Sequence, residues 1–134
     1  MLKGTCINDG DGIIYEYNAY GVLICAKEAV YSNGDIVAKS NSSSVLYTYN
    51  SKLELTKIQT LSTVYNMYYD VFGKTDYINV GNTTIANYTY AANNGNLTRL
   101  DYENGAYVTY TYDILDRVVG ECYNETQKAS YTYD

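Results

Sequence analysis

Residues Tyr110 to Gly120 read YTYDILDRVVG, and this stretch decides the fold. Tyr110 and Tyr112 lie two apart, so in a strand they share one face while Thr111 points to the other. Asp113 then breaks the strand, because a short acid at the head of a turn accepts hydrogen bonds from N–H groups two residues on. A returning strand follows through Val118 and Val119. Eleven residues therefore spell strand, turn and strand.

The same spelling recurs along the chain. It appears as YEYNAYGVLI from Tyr15, YTYNSKLELTKI from Tyr47, YYDVFGKTDYI from Tyr68 and YTYAANNGNLTRL from Tyr88, and the chain stops on YTYD, Tyr131 to Asp134. The second tyrosines, at 17, 49, 69, 90, 112 and 133, are spaced by 32, 20, 21, 22 and 21 residues. A period near 21 is too short for paired-helix repeats, and the residues within it favour strands. Gly21, Gly73 and Gly95 supply the positive φ that closes the turn. The return strands carry apolar residues three apart, Leu55 with Ile58 and Leu97 with Leu100. A second turn follows at Asn33-Gly34, Gly81-Asn82 or Asn104-Gly105, the favoured chemistry for tight hairpins. One repeat is thus one β-hairpin. The predicted fold is all-β: serial antiparallel hairpins forming an extended, strongly twisted or curled sheet, with residues 1–134 as one domain.

Departures from the pattern carry their own expectations. Leu53 and Asp116 stand where glycine is expected, so those two loops should close differently. Ala91 replaces the turn carboxylate, and Asn93-Asn94-Gly95 adds a residue. The 32-residue gap contains the polar run from Lys39 to Ser44, which reads as a bulge or loop and leaves the strand parity open.

Composition excludes several function classes. The 134 residues include 19 Tyr, one Phe, no Trp, no Pro and no His, with a formal net charge of −6. That charge argues against nucleic acid, whose backbone needs a basic face. No 18-residue apolar run exists to span a membrane as a helix, and Met1-Leu2-Lys3-Gly4 does not lead into a signal-peptide core. Cys6, Cys25 and Cys122 lack CxxC spacing and are read as thiols, although Cys6 and Cys25 could meet across neighbouring strands.

The repeated residues resemble a known family. Tyrosine–x–tyrosine–aspartate, two residues, glycine, a basic or amide residue, then Leu or Ile is similar to the YD repeat of Rhs proteins, bacterial wall-associated proteins, toxin-complex shells and teneurins. The resemblance runs from about Tyr15 to Asp134. On it, the repeat residues are Tyr15, Tyr17, Gly21, Tyr47, Tyr49, Tyr69, Asp70, Gly73, Tyr88, Tyr90, Gly95, Tyr110, Tyr112, Asp113, Arg117, Tyr131, Tyr133 and Asp134. It implies that residues 1–134 are a fragment of a larger repeat shell, a hollow wall of hairpins in a secreted or wall-associated bacterial protein, with larger members enclosing a toxic C-terminal domain. Their self-cleaving core contains proline, which this chain lacks. The implied partners are further repeats or an encapsulated domain of the parent chain.

No enzyme is expected. Without histidine the usual general base near neutral pH is missing, and Ser-His, Cys-His and His-metal arrangements are excluded. Asp113 and Asp116 could pair as in glycosidases, but Asp113 occupies the turn position, where a structural role is expected. Asn8-Asp9-Gly10-Asp11-Gly12 lacks the remaining ligands of a calcium loop and reads as a turn between strands. No metal or cofactor is expected. The tyrosines read first as a packed ladder. The alternative is a carbohydrate-binding surface that stacks sugars on flat rings with outward hydroxyls, with Tyr90 and Tyr112 as candidate glycan contacts. The terminal strands, unblocked by proline, should also favour self-association edge to edge.

Overall fold

The computed structural model describes residues 2–6 (backbone only), 11–40 and 42–134. The side chain of Cys6 and residues 8–10 of the acidic stretch lie outside the described residues. Every regular element among them is a strand, and no helix is long and apolar enough to cross a membrane.

Two compact units divide the chain, residues Met1–Asn66 and Met67–Asp134. The first holds β1 (Leu2–Cys6), β2 (Asp11–Tyr17), β3 (Leu23–Ser32), β4 (Asp35–Ala38), β5 (Ser44–Tyr49) and β6 (Leu55–Gln59). Strand β7 (Val64–Tyr69) begins in the first unit and ends in the second. The second unit continues with β8 (Thr75–Val80), β9 (Thr83–Tyr90), β10 (Leu97–Tyr102), β11 (Tyr107–Tyr112), β12 (Val118–Tyr123) and β13 (Thr126–Ser130). Strands pair in chain order, except that β4 leaves the path and pairs with β3 alone. The described pairings are antiparallel, nearly all of them between strands consecutive in the chain.

That excursion accounts for the 32-residue gap. β3 is ten residues long; its first half pairs with β5 (Cys25↔Leu46 to Lys27↔Ser44) and its second half with β4 (Ala29↔Ala38 to Ser32↔Asp35). The Asn33-Gly34 turn, with φ of 54° and 90°, sends β4 back along β3. The polar run then returns the chain to the same strand, with Lys39 N–H donating to Glu28 O and Glu28 N–H donating to Ser43 O. An extra short strand is inserted, and β5 resumes the parity of the repeat.

Four hairpins close on one five-residue tip: Asn18–Val22, Asn50–Glu54, Asp70–Lys74 and Asp113–Arg117. In each, the Oδ1 of the head residue accepts N–H bonds from the third and fifth residues at 2.8–3.1 Å. The head N–H donates to the fifth carbonyl, and the fourth N–H donates to the head carbonyl. The fourth residue has positive φ every time: 77° at Gly21, 64° at Leu53, 80° at Gly73 and 60° at Asp116. This corrects the expectation that Leu53 and Asp116 close their loops differently. A left-handed residue with a Cβ costs on the order of 1–2 kcal/mol, and four hydrogen bonds per tip hold it there. Ala91 has no acceptor, and its tip is one residue longer, with Ala91 N–H donating to Asn96 O and Gly95 at φ 74°.

Four return strands, β3, β6, β10 and β12, also carry a bulge. Tyr49 pairs with Leu55, but Thr48 pairs with Lys57, leaving Thr56 unmatched. Ile24, Thr98 and Val119 are skipped in the same way opposite Tyr17, Tyr90 and Tyr112. The extra residue restores the face, so apolar residues three apart meet tyrosines two apart: Leu97 faces Tyr90 and Leu100 faces Tyr88. The Thr56 and Thr98 hydroxyls donate to Thr48 O and Thr89 O across the bulge.

Burial is shallow. The buried apolar side chains among the described residues are Ile14, Cys25, Ala29, Ala86 and Ala106, none larger than isoleucine. Tyrosines therefore supply most of the packed area while remaining half-exposed. At the last repeat the expected Tyr131–Asp134 strand is corrected: β13 ends at Ser130. Its ladder with β12 closes at Gly120↔Ser130, beyond which one backbone bond, Tyr131 N–H to Val119 O at 3.0 Å, continues the edge.

Candidate functional site

The tyrosine rows are the richest constellation in the molecule. Tyr15, Tyr17, Tyr47, Tyr49, Tyr69, Tyr88, Tyr90, Tyr110 and Tyr112 all stand half-buried on strands. The threonines between them, Thr48, Thr89 and Thr111, are exposed, as the alternation requires.

The second tyrosine of a repeat reaches back to the repeat before it. Tyr90 Oη donates to Thr75 O at 2.7 Å, Tyr112 Oη to Leu97 O at 2.8 Å and Tyr133 Oη to Val118 O at 2.7 Å. Each acceptor is the first residue of the preceding return strand, and each pair is 15 residues apart. Burial pushes the Tyr90 and Tyr112 phenols up from their ordinary values, so both remain neutral donors at physiological pH. Sequence reasoning missed this tie, although the constant 15-residue offset is present in the sequence. The hydroxyls of Tyr90 and Tyr112 thus point into the sheet rather than outward.

Cations cover the same rings. Lys74 Nζ lies 5.1 Å from the Tyr90 ring centre, and Arg117 Cζ lies 4.4 Å from that of Tyr133. Both cations are the fifth residue of a tip, and both rings belong to the second tyrosine of the next repeat. Arg99 Cζ over Tyr107, at 3.8 Å, adds a third contact on adjacent strands. Such contacts are each worth about 0.5–1 kcal/mol at exposed sites.

Tips are joined to tips as well. Lys74 Nζ donates to Gly95 O at 2.6 Å. Asn94 Nδ2 and Asn96 Nδ2 both donate to Asp116 Oδ1 at 2.7 Å. A Cβ at Gly95 would displace only the flexible end of the Lys74 side chain, so the requirement for glycine here is its positive φ of 74°.

The carboxylates are committed to the same work. Asp70 Oδ1 holds two tip N–H groups. Asp113 does so too, and its Oδ2 accepts from Arg117 Nε at 2.7 Å. The Arg117 and Leu115 amides, with the Arg117 guanidinium, hold the Asp113 carboxyl below the usual carboxylate range. Asp101 is depressed likewise by Arg99. Among the described residues no three His, Cys, Asp or Glu groups lie together as a metal site.

One open cleft of about 660 Å³ lies between the tips Asp70–Lys74 and Ala91–Gly95. Tyr88, Tyr90, Asp76, Asn87 and Phe72 line it, and Phe72 is 82% exposed. Tyr112 does not line it. At the chain end, Tyr131, Tyr133 and Asp134 are exposed.

No protein-family model matches this chain, and no curated protein does. Solved structures of similar fold do exist. A chain of the TcdB2-TccC3-TEV crystal structure superposes with a TM-score of 0.64 at 17% identity, covering 86% of this chain. A chain of TcdB2-TccC3-Cdc42 gives 0.63 at 15% identity over 85%. A chain of a mutant Photorhabdus luminescens Tc holotoxin pore gives 0.64 at 16% identity over 87%. The likeness is one of fold. This chain spans only 6% of the length of each of those chains.

Proposed function

We propose that this chain is a non-enzymatic structural segment of a YD-repeat β-shell, of the Rhs type, in a secreted or wall-associated bacterial protein. Its task is to build wall that encloses or displays another domain of the parent chain. The observation that carries this reading is the recurring tie of the second tyrosines Tyr90, Tyr112 and Tyr133 to the previous repeat. The tyrosine hydroxyls, Lys74 and Asp116 join successive hairpins to one another, while Asp70 and Asp113 close their own tips. The fold shared with toxin-complex chains supports the reading at the level of architecture. The test is to sequence the gene on both sides and express its full product. Further repeats followed by a divergent domain, protected from protease until the repeats are opened, are expected. A gene that encodes no repeats beyond these residues would overturn the proposal.

The cleft beside Phe72 supports a second reading, in which a surface polysaccharide docks on the Tyr88 and Phe72 rings with Asp76 and Asn87 as hydrogen-bonding partners. Binding on a bacterial glycan array that is lost in Phe72→Ala, with unfolding unchanged, would favour it.

A further inference from the structure

Tyr68 on β7 and Tyr77 on β8 stack with ring centres 4.2 Å apart and planes inclined by 15°. Both belong to the second unit, on strands that are neighbours in the sheet. Tyr68 is 40% exposed, so a diffusing oxidant reaches one of the two phenols directly. Near-parallel rings with centres this close hold the two phenols side by side, so that radicals formed on both can meet without strand separation. Aromatic pairs favour such offset stacks, so the approach needs no unfolding.

We propose that the Tyr68–Tyr77 pair is a site of oxidative cross-linking, forming an intrachain dityrosine that staples β7 to β8. The co-reactant is hydrogen peroxide acting through a haem peroxidase. Each phenol gives up one electron and its hydroxyl proton, leaving two phenoxyl radicals. The radicals combine through their ortho carbons to form one C–C bond. Each of those carbons then loses its hydrogen as a proton while its oxygen regains one, which restores both aromatic rings. The protein loses two hydrogen atoms, and one peroxide is reduced to two waters. No histidine or tryptophan is present to divert the oxidation. Cys25 is buried, which leaves the half-buried thiol of Cys122 as the competing sink among the described cysteines.

The experiment treats the whole chain, at low concentration, with peroxidase and peroxide. Lys74 lies between the two tyrosines, so trypsin separates them unless a new bond joins them. The expected result is a monomer lighter by two hydrogen atoms, with dityrosine fluorescence and a tryptic pair linking the Tyr68 and Tyr77 peptides. Tyr68→Phe and Tyr77→Phe, which keep the ring, should each lose the linked pair. Circular dichroism of the two variants shows whether they remain folded, and the peptide map of the parent chain decides the matter if they do not. Dityrosine found only between chains, or only at other tyrosines, would overturn the proposal.

Discussion

Asp113 does at one tip what Asp70, Asn18 and Asn50 do at three others, accepting two backbone N–H bonds on a single oxygen. The turn therefore needs an Oδ1, and the charge is an addition. Because the folded carboxyl is depressed, the stability it contributes is present above the unfolded value of about 3.9 and is lost as pH falls through the folded value. Asp113→Asn should keep the turn and remove this site's share of the acid sensitivity, leaving Asp101 to titrate. Asp113→Ala should destabilise at all pH values, by about 0.5–2 kcal/mol as for a lost helix cap. Thermal unfolding at neutral pH and at about pH 3 separates the two variants. Leu53, 51% exposed at φ 64°, is the converse case. Leu53→Gly relieves left-handed strain and should raise stability by up to about 1 kcal/mol, read as a higher Tm. Its positive φ was not legible in the residue itself; it follows from Asn50 two positions before the tip's centre, whose oxygen fixes the backbone whatever side chain follows.

Among the elements, the hairpins were readable because tyrosines two apart and tip residues at a fixed offset admit one local structure. The bulges were not read, although their mark is in the sequence. Leu97 and Leu100 are three apart, which in an unbroken strand places them on opposite faces. Only an extra residue between them, Thr98, lets both face Tyr90 and Tyr88. Deleting Thr98 should therefore remove the bulge and leave Leu97, Arg99 and Leu100 opposite Tyr90, Thr89 and Tyr88 in an unbroken ladder, with both leucines still on the tyrosine face. The expected outcome is a deletion no more damaging than Thr98→Ala, since each loses the bond to Thr89 O, a change on the order of 1 kcal/mol. Urea unfolding of the two variants checks it. The β4 excursion was legible only as an irregular gap, since nothing in the polar run Lys39–Ser44 states that β3 is long enough to bind two partners.

Within the second unit, the ties between repeats explain how hairpins with few buried side chains hold together. Apolar burial alone is thin here, so directional contacts between successive hairpins matter more than in a layered domain. Tyr90 and Tyr112 bind, Lys74 and Arg117 cover, and Asp116 joins two tips. Among the described residues β13 is the last strand in the sheet order, and it carries little charge apart from Lys128. Such an edge is a template for another strand, and light scattering is expected to show an apparent mass that rises with concentration above 15.1 kDa. A strict monomer at every concentration would speak against pairing at the edge.

The central claim is that the second tyrosines serve the sheet rather than a ligand. It is tested most directly by chemical denaturation of the double variant Tyr90→Phe, Tyr112→Phe, which keeps both rings and removes both hydroxyls. The account predicts a loss of about 1–3 kcal/mol, the sum of two half-buried hydrogen bonds. An unfolding midpoint and slope identical to those of the parent chain would contradict it.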